Sequence, residues 1–101
     1  MKADAPDLAL QDYGEALTIA PQDVDALEGY VSAAAASGQL DAAEKYLRSR
    51  IATTETASLN VELSRILAAR GDLDGAAAVA QHGAALDPSD ERALDQLVTV
   101  L

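Results

Sequence analysis

The sequence contains no cysteine, no tryptophan and no phenylalanine, with three tyrosines as its only aromatics and a single histidine. Without cysteine there is neither thiol catalysis nor a disulfide framework, and a reducing compartment is compatible with that usage. Without large aromatics, the apolar half of the chain has to build its core from alanine and leucine. Alanine is the strongest helix former and a poor strand residue, so this composition points to helices and away from sheets. Cations are scarce too. Seven Lys and Arg stand against seventeen Asp and Glu, a formal net charge of −10, with a pI near 4.2. Nucleic acid and anionic membrane surfaces both require a cationic face, which excludes them as expected partners. A basic partner is the charge-complementary alternative to acidity that serves solubility alone.

Long apolar runs are missing as well. The longest uncharged stretch is Gly29 to Leu40, twelve residues that include Ser32, Ser37 and Gly38, too short and too polar to cross a bilayer. Lys2 is followed at once by Asp4, Pro6 and Asp7, so no secretory leader is read after Met1. The expectation is one soluble, cytoplasmic domain of 101 residues, too short for two cores.

What the chain does have is a repeat. Gly38-Gln39-Leu40-Asp41-Ala42-Ala43 returns as Gly71-Asp72-Leu73-Asp74-Gly75-Ala76, 33 residues later. Each copy follows an Ala-rich helical run and opens another, and a turn recurring at that interval marks an array of helical hairpins. Six antiparallel helices are predicted. The first spans about Pro6 to Ala20, with Pro6 suited to a first turn and a buried stripe of Ala9, Tyr13, Ala16, Leu17 and Ala20. Pro21 closes it. Asp23 caps the second, which runs to about Ser37 and buries Leu27, Tyr30, Val31 and Ala34. Gly38 and Gly71 are the left-handed residues that end the second and fourth helices. Asp41, with Glu44 three residues on, is expected to cap the third helix, and Asp74 the fifth. Leu40, Ala43, Leu47 and Ile51 form the inner face of the third. Thr56 caps the fourth, which buries Leu59, Leu63, Ile66 and Leu67. The fifth buries Ala76, Val79, Ala80 and Ala84. After the turn and N-cap cluster Asp87-Pro88-Ser89-Asp90, the sixth carries Leu94, Leu97, Val98 and Leu101.

The second, fourth and sixth helices superimpose by position. Leu27, Asn60 and Leu94 correspond; so do Tyr30, Leu63 and Leu97, then Val31, Ser64 and Val98, then Ala34, Leu67 and Leu101. With the turn glycine, the alanine five residues later and the ending Leu86-Asp87-Pro88, the whole chain resembles the tetratricopeptide repeat family. It departs from the family pattern at Arg50 and Gly83, where alanine is usual, at Glu55, where proline is usual, and at Asn60, where a large apolar residue is usual. The resemblance implies an all-α fold of hairpins stacked as a short right-handed superhelix. Its parts would be a half repeat over 1–23, full repeats over 24–56 and 57–90, and a half repeat over 91–101.

Catalytic chemistry has no foothold in the residues. His82 stands singly on an outer face, and Ser32, Ser49, Ser58 and Ser64 lack a partner base at any motif spacing. Asp72-Leu73-Asp74-Gly75 has the start of a calcium loop, but the later ligands are missing and turn and cap roles account for it. No enzyme activity, cofactor or metal is expected.

The family resemblance implies instead a non-catalytic interaction module that holds a peptide or helix in a concave groove. Carried over by position, that groove takes Asp25, Glu28, Ser32 and Ala35 from the second helix. Val61, Glu62, Arg65 and Ala68 come from the fourth, and Arg92, Asp95, Gln96 and Thr99 from the sixth. Asp25 and Glu28 occupy the places where chaperone-binding members begin a basic carboxylate clamp, so a clamp of that kind is not expected. The alternatives are a structural segment of a larger polypeptide and a self-association scaffold. For the latter, Leu94, Leu97, Val98 and Leu101 form an apolar stripe able to support a weak homodimer.

Overall fold

In a computed structural model, the described residues are 6–101, with side chains from residue 8 onward. They form six α-helices and no strand: α1 (Pro6–Ile19), α2 (Val24–Ala36), α3 (Leu40–Thr53), α4 (Ala57–Ala69), α5 (Leu73–Leu86) and α6 (Glu91–Val100). Links of three or four residues join consecutive helices. The chain divides into two compact units, one through Ala43 and one from Glu44 to Leu101.

The repeated turn is the same hydrogen-bonded motif each time. At the end of α2, the Gln39 N–H donates to Ala34 O at 2.8 Å and the Gly38 N–H to Ala35 O at 3.5 Å. At the end of α4, the Asp72 N–H donates to Leu67 O at 2.9 Å and the Gly71 N–H to Ala68 O at 3.0 Å. This is the Schellman closure, which places the residue after the cap in the left-handed region. Gly38 and Gly71 hold φ of +73° and +87° there, where a Cβ is penalised.

The helix starts correct two expectations. Asp74 lies inside the first turn of α5, and the N-cap is Asp72, whose Oδ1 accepts from the Gly75 N–H at 2.8 Å. Asp72 therefore closes α4 with its N–H and opens α5 with its carboxylate. Likewise α3 begins at Leu40, so Asp41 is a first-turn acid rather than the cap. Glu44 pairs with Arg48 at 2.9 Å and faces Arg70 at 3.7 Å. The other caps fall where the sequence puts them: Asp23 accepts from Ala26 N, Thr56 from Leu59 N, and Asp90 from Arg92 N and Ala93 N.

In the first unit α1 packs on α2. Leu17, Leu27, Val31 and Ala34 are buried, but Tyr13 and Ala20 are exposed rather than core. The Tyr13 ring lies over Gly29, where a Cβ would overlap it. In the second unit α4 is the central helix, packed on both α5 and α6. Nine of its thirteen residues are buried, from Ala57 to Leu67. Gly83 permits the close approach of α5, since a Cβ there would stand 3.0 Å from the Asn60 Cβ. On α6 the buried anchor is Ala93, whereas Leu94, Val98 and Leu101 are exposed.

Candidate functional site

Burial along α4 is so complete that its polar residues have to find partners inside the protein. Glu62 is 0% exposed. Moving a carboxylate out of water costs several kcal/mol unless cations and donors replace the lost hydration. Two guanidiniums do so. Arg65, one helical turn on, reaches Oε1 at 2.8 Å, and Arg92 of α6 reaches Oε2. Each carboxylate oxygen thus has its own charged donor, the stronger kind of hydrogen bond. The Arg65 and Arg92 side chains remain 38% and 32% exposed, so the network is anchored in the interior and reaches partly to the surface. One carboxylate against two guanidiniums leaves a local charge of +1 on an otherwise acidic chain.

Two residues along α4, Ser64 adds a second polar link. Its hydroxyl donates to Ala76 O of α5 at 2.8 Å and accepts from Gln96 Nε2 of α6 at 3.0 Å. A buried hydroxyl without partners is costly, and here both its functions are used. The Glu62–Arg92 and Ser64–Gln96 links fix the register of α6 on α4. They also hold Arg92 and Gln96 in place, because side chains that are already bonded have less rotamer freedom to lose on binding.

Of the groove residues expected from sequence, Glu62, Arg65, Arg92 and Gln96 therefore come together in one bonded seam. Val61 and Glu62 are buried rather than presented. Asp25 and Ser32 are exposed and Glu28 is half-buried, one face of α2 in the first unit. On α6, Val98 and Leu101 are 74% and 85% exposed, Leu94 is also exposed and Leu97 is half-buried.

A second polar cluster escaped the sequence reading. Oε2 of Glu55 accepts from Asn60 Nδ2 at 3.1 Å and from His82 Nε2 at 2.9 Å. Asn60 Nδ2 also donates to Thr56 O at 3.1 Å. The Asn60 amide, and then the imidazole, stabilise the charged carboxylate and hold its pKa below the ordinary glutamate range. The signal was present: Glu55 and Asn60 are two of the four departures from the repeat pattern. What the sequence could not give was that both converge on His82.

Among the described residues no group of His, Cys, Asp and Glu is placed to hold a metal ion. None of the described helices is long and apolar enough to cross a membrane. The model of one protein family, described as tetratricopeptide repeat, matches residues 1–58. No curated protein matches the chain.

Proposed function

Because this chain belongs to the tetratricopeptide repeat family, whose repeats generally mediate protein–protein interaction and are typically non-catalytic, we propose that it is a non-catalytic module binding a peptide or helix of a partner protein. The observation that carries this reading is the seam on α4 and α6. The Arg65, Arg92 and Gln96 side chains are each bonded to a buried group and remain partly exposed. Such donors are positioned before a partner arrives, which lowers the entropic cost of recognition. Asp25, Glu28 and Ser32 on α2 supply a second polar face of opposite sign, and a partner with basic residues suits both it and the net charge of −10.

The test is recovery of partners from the native cell with the wild-type chain and with two variants, followed by titration of each recovered protein. Asp25→Lys with Glu28→Lys reverses the α2 face, and Gln96→Glu alters the presented edge of the seam. A partner using these faces binds about tenfold more weakly to one variant or the other, roughly 1.4 kcal/mol. Affinity unchanged in both would leave these faces as solvated surface.

Self-association through α6 is a second reading, favoured by the exposure of Leu94 and Val98 on that helix and of Leu101 at its C-cap. A self-complementary apolar stripe closes as a symmetric pair. Sedimentation at rising concentration should show a monomer–dimer equilibrium that Val98→Glu abolishes without unfolding the chain. A clean monomer at high concentration would refute it.

A further inference from the structure

The Glu55 cluster forms one end of a cleft of about 360 Å³ in the second unit, bounded by α3, α4 and α5. Its walls are apolar, with Ile51 from α3, Leu63 from α4 and Val79 from α5. The cleft shares no residue with the α4–α6 seam, and it stands whether or not that seam binds anything. Cavities of roughly 300–1,000 Å³ with apolar walls and a few convergent polar groups are where ligands bind.

The orientation of Glu55 decides what fits. Asn60, only 3% exposed, is anchored by its own bond to Thr56 O. Together with His82 it occupies Oε2 and turns the carboxylate in a fixed direction. Among the described residues no donor reaches Oε1. Besides Glu55 and the His82 imidazole, the ionisable group on the cleft is Arg48, whose Nε is bonded to Glu44 at 2.9 Å. An apolar occupant would bury Oε1 without a donor, a costly desolvation. An anion would meet the carboxylate charge directly. An alkyl stem that ends in a cation satisfies walls and end together, since lysine and arginine lay their methylenes on apolar surface and keep the charged head polar.

We propose that this cleft receives a basic side chain of a partner protein, its methylene stem against Ile51, Leu63 and Val79 and its cationic head on Oε1 of Glu55. Long-range charge acts in the same direction, because a chain of net charge −10 draws cationic segments toward itself. Glu55 and Asn60 stand where the repeat pattern has a proline and a large apolar residue. The first would offer no carboxylate and the second could not hold one, so the site belongs to this chain's own sequence.

The test uses the full chain labelled with nitrogen-15 and three capped peptides: acetyl-Leu-Lys-Leu-amide, the same peptide with norleucine at the centre, and the same with glutamate. Norleucine keeps most of the stem and removes the charge. The lysine peptide should give saturable shifts in the amide signals of Glu55, Asn60 and His82. It should bind at least tenfold more tightly than the norleucine peptide, with the glutamate peptide weakest. Glu55→Gln should remove the preference for lysine over norleucine. Ala78→Met, which adds bulk to the cleft from the exposed side of α5, should weaken both; far-UV circular dichroism verifies that each variant is folded. Absence of saturable shifts overturns the proposal. So do shifts that spread over the acidic face of α2, a lysine preference that survives Glu55→Gln, or binding indifferent to Ala78→Met.

Discussion

Replacing Arg92 by methionine removes one of the two guanidiniums on the buried carboxylate of Glu62 while keeping an apolar stem of similar reach. Hydrogen bonds to charged groups are worth about 1.5–3 kcal/mol. Arg92 is partly hydrated and Arg65 still holds the other oxygen, so the expected loss lies in the lower part of that range, about 2 kcal/mol. For a domain of this size that lowers the melting temperature by about 8–16 °C. Glu62→Gln should cost a similar amount, since it leaves two guanidiniums facing an amide. Combined, the two should cost at least about 1 kcal/mol less than their sum, because the second change removes a partner already gone. Thermal and urea unfolding followed at 222 nm measures all three. The coupling should persist at high salt, since a buried pair is little screened. The exposed Glu44–Arg48 pair is the control, with a coupling of about 0.5 kcal/mol or less that salt erases. Additivity of Glu62→Gln and Arg92→Met within about 0.5 kcal/mol would show that the seam does not hold α6 on α4.

Three further outcomes are expected. Gly71→Ala, at φ +87°, should destabilise by about 1–2 kcal/mol and Gly71→Asn by less; equal effects would exclude a conformational cause. Gly14→Ala, whose Cβ would stand 3.9 Å from the Tyr30 ring, should stabilise α1 by up to about 1 kcal/mol, whereas Gly29→Ala should destabilise and change the tyrosine fluorescence by expelling the Tyr13 ring; matching effects would mean the ring does not rest on Gly29. The pKa of Glu55 is depressed in the folded protein, first by the Asn60 bond and then by His82, so its contribution is present above the unfolded pKa and is lost as pH falls through the folded value. The difference in urea midpoint between wild type and Glu55→Gln should therefore shrink as pH drops below the ordinary glutamate range, and a constant difference would refute the assignment.

The helices and their ends were legible in the sequence because their causes are local. Alanine-rich runs, capping Asp23, Thr56 and Asp90, and glycines at positions 38 and 71 act on neighbours four or five residues away. Even the misplaced caps at Asp41 and Asp74 erred by only two residues, within the same turn. The 33-residue interval then gave the hairpin array, because repetition of a local unit implies stacking of like on like. Which side chains would be satisfied by which others was decided only by tertiary packing. Glu62 reads in sequence as an exposed groove residue; Arg92, thirty positions away, makes it a buried one. Glu55, Asn60 and His82 read as two irregularities and a surface histidine until the close approach of α5 to α4 at Gly83 sets them around one cleft. Periodicity determines which face of a helix is apolar, but a polar residue's partner depends on the distance between helices, and that is known only once they are packed.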